Sequence, residues 1–491
     1  MTSWLETRRV FVLVLALGLF AMAARNVTDP DVWWHLRTGQ LIAQTHALVH
    51  NDPFSFTRSG QPWVNHEWLS DLLLYGLYQA TGWVGLIVIF AALTASTLML
   101  VFLRCAGRPY LAGLALLAGA YVSAPGWGVR PETISLFIAS IFLLILDRSH
   151  QKPSLLWWTV PLTLLWVNLH AGYALGIALI AMFLAGEGLE AILGQSAGSL
   201  RSRRLRDLAL ALAACLAVVP LNPNGFEMYA YPVTTLRSPA MQQFIAEWAS
   251  PDFHGANYFP FLLLLVSLIL LLGSSRRKIR PRELLLLLVT TAAALRSVRH
   301  IPVFALIAVP VLSELIDGWW EERGYSLLPR VETSSRKQVF NLVVLAGVLV
   351  FLGMRIKTVG DRQPQTEVEH FPASAVAFLA RARPPAPIFN HYNFGGYLIW
   401  KLDPEYKVYV DGRADLYGDQ FLDDFARTYY VTVADWGKSL ERWNIQTVML
   451  PPDAPLVAAL KLSGTWTEIY SDTQAAILTR AASRRPPALL P

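Results

Sequence analysis

Eleven hydrophobic segments recur between residues 10 and 354, and they constrain the fold of this chain more than any other feature. Several are shorter than the roughly 20 residues that a membrane-spanning helix needs, so their boundaries are approximate and ten or twelve spans would also fit. The 491-residue chain is 54% hydrophobic and 15% charged, which is too apolar for a soluble protein. The pattern predicts a polytopic α-helical membrane protein with about eleven spans. The segments are residues 10–24, 83–103, 110–124, 133–146, 155–169, 173–186, 207–220, 257–273, 283–295, 301–316 and 338–354.

The basic residues between these segments fall in alternate loops, which the positive-inside rule assigns to the cytoplasm. The N-terminus is then cytoplasmic, and an odd number of spans places the C-terminal region outside; an even number would reverse the tail. We therefore expect a multi-pass protein of the cytoplasmic (inner) membrane, whose net charge of +6 reflects topology and not a nucleic-acid partner. The first segment could instead be a signal peptide, but later spans favour a retained anchor. The basic positions are Arg8, Arg9, Arg104, Arg108, Arg148, Lys152, 201–206, 276–282, Arg336 and Lys337.

The opposite set of loops collects the unusual ionisable residues. Such groups at a membrane face are costly to desolvate and indicate a functional site. The first outer loop, residues 25–82, is long enough for two short helices, one after Asp31 and one from His66 to Tyr78, closed by Gly82. The candidates in this loop are Asp29, Asp31, His35, Arg37, His66 and Glu67, and those in later outer loops are Arg130, Glu132, His170, Glu247, Arg296, Arg299 and His300.

The start of the first outer loop also carries a family resemblance. The segment Asp29-Pro30-Asp31-Val32-Trp33-Trp34-His35-Leu36-Arg37 resembles the Asp-Pro-aromatic-Arg segment of oligosaccharyltransferase catalytic subunits. The layout of many spans, a long first outer loop and a C-terminal domain resembles the GT-C superfamily of integral membrane glycosyltransferases. This resemblance implies a GT-C-like fold, an essential acidic residue at Asp29 or Asp31, and a sugar donor linked to polyprenyl phosphate. No Trp-Trp-Asp-type peptide-binding motif follows in the C-terminal part, so protein N-glycosylation is not implied.

The residue types suit glycosyl transfer, which needs a base on the acceptor hydroxyl and positive charge on the departing phosphate. Desolvation near the bilayer raises the pKa of a carboxylate toward neutrality, so the catalytic candidates are Asp29, Asp31 and Glu67. Arginine binds phosphate bidentately. The candidate substrate- and phosphate-binding residues are His35, Arg37, Arg130, Glu132, His170, Arg296, Arg299 and His300.

Two of these assignments have alternatives. Asp29 precedes a proline and could simply cap the helix that follows. A divalent metal ion, Mg or Mn, could bridge carboxylate and phosphate, although no ligand spacing is diagnostic of one. The candidate metal ligands are Asp29, Asp31, His66 and Glu67.

The composition becomes soluble after residue 357, which ends the predicted transmembrane domain 1–357. Residues 366–482 are predicted to form an α/β domain after a linker at Pro364, and 483–491 a disordered tail. Helices are expected at 373–381, 417–429 and 454–462, and strands at 386–390, 407–410, 447–450 and 475–478, in a mainly parallel sheet.

Two polar clusters follow predicted strands of this domain, where open α/β sheets place their ligands. Asn390 and Tyr392 belong to one cluster, and Asp411 and Arg413 belong to the other. They predict a pocket for an acceptor or glycan. The alternative is that the glycines beside them form turns with a purely structural role.

Taken together, these features predict a membrane glycosyltransferase that moves a sugar from a polyprenyl-phosphate-linked donor to a glycan, lipid or protein acceptor of the cell envelope. Contact with membrane lipids follows from the spans. The alternatives are a transporter or flippase of lipid-linked or anionic solutes, and a non-catalytic envelope assembly protein. Transporters commonly show inverted repeats and charges at the midplane of their spans, and this sequence shows neither pattern.

Overall fold

The computed structural model describes residues 6–193, 199–325 and 335–481, and it is mostly helical. Each of the eleven predicted hydrophobic segments overlaps a helix, whereas the predicted tail 483–491 lies outside the described residues. The helices of the hydrophobic part are Thr7–Ala23, Trp68–Phe102, Pro109–Ser123, Pro131–Arg148, Thr159–Leu169, Tyr173–Ile192, Ser199–Val218, Glu227–Arg237, Phe259–Ser274, Pro281–Arg296, Ile301–Glu322 and Ser335–His370.

Four helices within the described ranges are long and apolar enough to cross a membrane: Trp68–Phe102, Tyr173–Ile192, Val298–Glu322 and Ser335–His370. The first of them is interrupted at Gly82, whose φ of 62° and ψ of −163° are not helical, so the predicted break at this glycine is present. The apolar helices indicate a membrane protein. The count of about eleven spans stays a prediction, because the other helices are shorter or more polar.

The chain divides into two compact units. One, the helical unit, contains Met1–Asn26, Thr81–Val233 and Ile245–Asp361; the other, the mixed unit, contains Val27–Ala80, Thr234–Phe244 and Arg362–Pro491. The first outer loop is thus grouped with the C-terminal part of the chain rather than with the hydrophobic helices. The predicted linker at Pro364 is wrong, because Ser335–His370 continues through this proline as one helix.

Helix Ile301–Glu322 lies at the centre of the helical unit, where most of its residues are buried. It packs closely against Pro109–Ser123, because Gly119 lacks the β-carbon that would overlap Val309. Ion pairs join the ends of these helices: Nη1 of Arg108 is 3.1 Å from Oδ1 of Asp317. Apolar packing and paired charges together hold this unit.

The mixed unit contains a four-stranded sheet. We label its strands β1 (Ile388–Asn390), β2 (Thr447–Leu450), β3 (Trp466–Ser471) and β4 (Ala476–Arg480), and their order across the sheet is β1-β2-β4-β3. Only β1 and β2 are parallel, while β4 is antiparallel to both of its neighbours. The expectation of a mainly parallel sheet is therefore wrong, because β3 and β4 form a hairpin at its edge.

The predicted strand at 407–410 is also corrected. Val408 makes an isolated parallel bridge with Ser55, a residue of the first outer loop, and joins none of the four strands. Its backbone N–H donates to the carbonyl of Phe54, and its carbonyl accepts from the N–H of Phe56. The helices of this unit are Val32–Thr45, Pro239–Phe244, Ala373–Ala382, Gly395–Leu402, Ala414–Tyr417, Asp419–Tyr430, Lys438–Arg442 and Pro455–Ser463.

The first outer loop packs into this unit through its helix Val32–Thr45. The Trp33 ring contacts the rings of Phe371 and Tyr397 edge to face, at centroid distances of 5.1 and 4.8 Å. Gly396 lets the helices approach, since a β-carbon there would come within 2.6 Å of the Pro30 carbonyl oxygen. These contacts fix the Asp29–Asp31 turn relative to the C-terminal part of the same unit.

Candidate active site

Asp29 and Asp31 make different contacts in the turn that they share. Oδ1 of Asp29 accepts the backbone N–H of Asp31 at 2.9 Å. The following helix has Asp31 at its N-cap position, with no capping hydrogen bond from that side chain. Asp29 therefore stabilises the turn that leads into the helix, close to the capping role that the sequence offered as an alternative.

The carboxylate of Asp31 is oriented from two sides. Nε1 of Trp34, one helical turn later, donates to Oδ1 of Asp31 at 3.1 Å. The backbone of Gly412 lies against the same oxygen, so closely that a β-carbon at this position would overlap it. Only glycine can bring the chain this close to the carboxylate. Asp31 is the acid whose direction the surrounding residues fix.

The four residues of the predicted acceptor pocket support the segment around Gly412. Nδ2 of Asn390 donates to the Val410 carbonyl at 2.7 Å, and the Tyr392 hydroxyl donates to the Gly412 carbonyl at 3.0 Å. Arg413 binds Asp411 through two hydrogen bonds of 2.8 and 2.7 Å. These internal contacts favour the structural alternative, in which both clusters shape turns.

A buried polar cluster, which we call the His35 cluster, lies behind the Asp31 turn. Nδ1 of His35 is 2.6 Å from Oδ1 of Asp71, and its Nε2 is 3.4 Å from Oε2 of Glu67. The other oxygen of Glu67 is 2.8 Å from Nε2 of His66, and Asn65 donates to Asp71 at 3.2 Å. The sequence predicted His35 and Glu67 as site residues, but it did not single out Asp71, which lies in an apolar helix.

The His35 cluster keeps its central histidine protonated. Burial alone would lower the pKa of His35, but the hydrogen bond that its Nδ1–H donates to Asp71 and the charges of Glu67 and Asp71 raise this pKa to about 9. The ring of His35 also lies 3.7 Å, centroid to centroid, from the ring of Trp34. Since Trp34 donates to Asp31, the His35 ring packs against the side chain that orients the candidate base.

Arg37 makes a structural contact within the mixed unit. Its Nε and Nη2 reach Oδ2 of Asp403 at 3.2 and 2.8 Å, and its Nη1 donates to Gln40 at 2.7 Å. Nζ of Lys407 is 2.5 Å from the other oxygen of Asp403. The two hydrogen bonds from Arg37 to Asp403 tie the first outer loop to the C-terminal part of the unit, which favours an anchoring role over phosphate binding.

The helical unit contains a second group of candidates, which we call the arginine cluster. Arg130 binds Glu247 through both terminal nitrogens, at 2.5 and 2.9 Å, and Glu132 through Nε at 3.0 Å. Arg299 binds the same two carboxylates, with a 3.3 Å bond to Glu247 and a closer contact to Glu132. Nε2 of His170 lies 3.7 Å from Glu132. The structure thus brings together four predicted residues and Glu247.

The imidazole of His170 is fixed on its other side. Its Nδ1 lies 2.7 Å from the Ser135 hydroxyl and 3.0 Å from the backbone N–H of Gly172, which donates to it. Nε1 of Trp166 donates to the same hydroxyl at 2.7 Å. The acceptor role of Nδ1 leaves Nε2 directed toward Glu132, so these contacts orient the ring toward the arginine cluster.

Two further candidates take other positions. The side chain of Arg296 is exposed at the C-terminal end of helix Pro281–Arg296. The ring of His300 packs edge to face on Trp248 at 6.2 Å, and its Nδ1 is buried without a hydrogen-bond partner among the described residues. Arg296 therefore takes no part in the ion pairs described for the arginine cluster. His300 borders the turn that carries Glu247.

The ligands needed for a metal ion are not assembled in the parts of the chain that the structure describes. Within them, no three His, Cys, Asp or Glu side chains are arranged to hold an ion. His66 and Glu67 bind each other directly, and Asp29 holds the backbone of its own turn. The candidate ligand set of Asp29, Asp31, His66 and Glu67 thus gives no support for a magnesium or manganese site.

Comparison with known proteins gives likeness of fold without likeness of sequence. No protein-family model matches the chain, and no curated protein matches it. The apo oligosaccharyltransferase of Archaeoglobus fulgidus is similar in structure, with a TM-score of 0.54 and 10% identity over 91% of this chain and 70% of that one. The AglB oligosaccharyltransferase from the same organism, in complex with an inhibitory peptide and a dolichol-phosphate, gives 0.53 and 12% over 99% and 76%.

A bacterial structure is similar over nearly the full length of both chains. ArnT from Cupriavidus metallidurans, bound to undecaprenyl phosphate, has a TM-score of 0.50 and 14% identity, covering 96% of this chain and 98% of that one. These identities are low, so the likeness concerns the fold. The similarity in fold to the oligosaccharyltransferases and ArnT supports the GT-C-like fold that the sequence predicted.

Proposed function

We propose that this chain, whose fold is similar to those of the oligosaccharyltransferases and ArnT, is a GT-C glycosyltransferase that transfers a sugar from a polyprenyl-phosphate-linked donor to an acceptor. Two of the similar structures contain a polyprenyl phosphate, undecaprenyl phosphate in ArnT and dolichol-phosphate in AglB. The acceptor is a hydroxyl-bearing glycan, lipid or protein of the cell envelope. The reaction takes place at the outer face of the cytoplasmic membrane, where the charge pattern of the loops puts the candidate residues.

Asp31 is the proposed general base. In the reaction, the acceptor oxygen bonds to the anomeric carbon of the sugar while the bond from that carbon to the phosphate oxygen breaks. The phosphate keeps the bonding electrons, and the hydroxyl proton passes to Asp31. The observation that carries this assignment is the orientation of one Asp31 oxygen by Trp34 and Gly412, because a base acts only when it is held in position.

Arg130 and Arg299 are the proposed phosphate-binding residues. Their guanidinium groups converge on the same two carboxylates. Arg130 binds Glu247 in the bidentate manner in which arginine also binds phosphate. His170, oriented through Ser135, supplies a further donor beside Glu132. Positive charge at this place stabilises the phosphate as it departs.

The experiment compares Asp31→Asn with Asp29→Asn in membranes supplied with a polyprenyl-phosphate-linked sugar. A positioned base contributes about 10²- to 10⁴-fold, so D31N should lose at least about 100-fold of the transfer rate. D29N changes a turn and should retain more activity than D31N. Unchanged transfer by D31N would overturn the assignment of the base.

Two further measurements address the donor, the acceptor and the topology. Glycan analysis of a strain lacking the gene should reveal the missing sugar linkage. Reporter fusions after Arg282 and after residue 365 should report a cytoplasmic and an external position, respectively. An external Arg282 would overturn the proposed orientation.

A further inference from the structure

The arginine cluster pairs its guanidinium groups with carboxylates of the chain itself. Two guanidinium groups, Arg130 and Arg299, face two carboxylates, Glu132 and Glu247. The contacts to Glu247 use both terminal nitrogens of Arg130 and Nη1 of Arg299. These are the donors that a phosphate group would use. An incoming phosphate would therefore meet a carboxylate already on its donors.

The two carboxylates are attached differently. Glu132 lies in the first turn of helix Pro131–Arg148, and its side chain is 22% exposed. Glu247 lies in the short 3₁₀ turn Ala246–Trp248, and its side chain is 39% exposed. A residue near solvent on a short turn reorients at a lower cost than one at the start of an 18-residue helix.

The backbone beside Glu247 is itself anchored. Its carbonyl accepts the Ser297 hydroxyl at 2.9 Å, and the Ala249 carbonyl accepts the N–H of Val298 at 3.0 Å. Both anchoring residues precede Arg299 in the chain. The turn can therefore stay in place while the Glu247 side chain rotates away from the two arginines.

The charge of Glu247 makes it a competitor for the anion. Burial alone would raise the pKa of Glu247, but the hydrogen bond from Arg130 and the charges of both arginines hold it below its usual range. Glu247 is thus ionised at neutral pH and leaves by displacement, not by protonation. Glu132 contacts the two arginines and His170, which suits a residue that stays to position them.

We infer that Glu247 is an internal carboxylate ligand that occupies the anion site of Arg130 and Arg299, and that the phosphate of the incoming substrate displaces it. This inference rests on the proposed phosphate-binding role of the two arginines. It makes Glu247 a residue that sets the affinity of the site for phosphate. It also explains how two partly buried arginines keep a partner while the site awaits its substrate.

The test measures binding of undecaprenyl phosphate, and separately of inorganic phosphate, to the full-length protein in detergent. Glu247→Gln keeps the size of the side chain but removes the competing charge, so undecaprenyl phosphate should bind at least about ten-fold more tightly than to the wild type. Glu132→Gln is the matched comparison and should tighten binding less than Glu247→Gln, because Glu132 contacts Nε of Arg130 and not its two terminal nitrogens. Glu247→Ala is a second variant in case the first folds poorly, and it should also tighten binding.

The outcomes separate this inference from the proposed function. Arg130→Ala should weaken binding. If it does, but both Glu247 variants bind undecaprenyl phosphate no more tightly than the wild type, the inference about Glu247 is overturned and the proposed function is not. Wild-type binding by R130A would remove the arginines from the phosphate site and overturn both. A response to inorganic phosphate that matches the lipid response would show recognition of phosphate alone. A response confined to undecaprenyl phosphate would show that its polyprenyl tail also contributes to binding. Tightened binding by the Glu247 variants supports the inference in both cases.

Discussion

The carboxylate of Asp31 lies against Gly412, in the space that a side chain at position 412 would fill. A β-carbon at Gly412 would overlap Oδ1 of Asp31 and approach Nε1 of Trp34 to 3.2 Å. The two residues are 381 positions apart in the sequence, so a turn of the C-terminal part shapes the start of the first outer loop. The proposed base is therefore positioned by Trp34 from the first outer loop and by Gly412 from the C-terminal part.

The first prediction follows from this contact. Gly412→Ala should displace the Asp31 carboxylate and reduce sugar transfer by about 100-fold, since small misplacements of reacting groups cost rates of this order. Gly437→Ala is the matched control, because nothing lies within 4 Å of a β-carbon there and its φ of −69° suits alanine. Transfer rates in membranes with equal protein levels give the comparison. Equal rates for both variants would refute the positioning role of Gly412.

The local elements could be predicted from the sequence because their signals are local. The eleven hydrophobic segments overlap helices, and the strand at 447–450 matches the observed β2. Helix Gly395–Leu402 was missed, because its two glycines suggested a turn. In the structure Gly396 is helical and leaves room for the Pro30 carbonyl, a contact between residues that are distant in the sequence.

The candidate site could be predicted only in part, because some of its contacts join residues that are distant in the sequence. The sequence drew attention to Asp31, His35 and Glu67 because they follow an apolar segment, and the structure places them in one unit. It could not identify Asp71, which is hidden in an apolar helix, or Gly412, whose role depends on a distant carboxylate. The predicted strand around Val408 failed similarly, since its actual partner, Ser55, lies in the first outer loop.

The second prediction concerns pH. The pKa of His35 is raised to about 9 in the folded protein, against about 6.5 when unfolded. Protonated His35 therefore stabilises the fold fully below pH 6.5, and this contribution, about 3 kcal/mol, disappears as the pH rises through 9. The difference in unfolding temperature between wild type and His35→Gln should shrink from pH 6 to pH 9.5. A pH-independent difference for His35→Gln would contradict the assignment.

The third prediction concerns Arg413, whose side chain is only 1% exposed. One of its terminal nitrogens lies 2.8 Å from Asp52 and 2.7 Å from Asp411. Arg413→Ala would leave two buried carboxylates without their cation, which should cost about 3–5 kcal/mol of unfolding free energy. Arg427→Ala removes an exposed ion pair with Asp423 and should cost less than about 1 kcal/mol. Thermal unfolding in detergent would measure both losses, and equal losses would contradict a central role for Arg413.

The last prediction isolates the hydrogen bond from Trp34 to Asp31. Trp34→Phe keeps an aromatic ring beside His35 but removes the N–H that donates to Oδ1 of Asp31 at 3.1 Å. We expect kcat to fall about ten-fold, which corresponds to about 1.4 kcal/mol and lies within the range for a single hydrogen bond, with little change in KM for the lipid-linked donor. The double variant with Asp31→Asn provides the control, because a residue that acts through Asp31 has no further effect once that carboxylate is gone. A further ten-fold loss in the Asp31→Asn background would show that Trp34 acts on the reaction independently of Asp31.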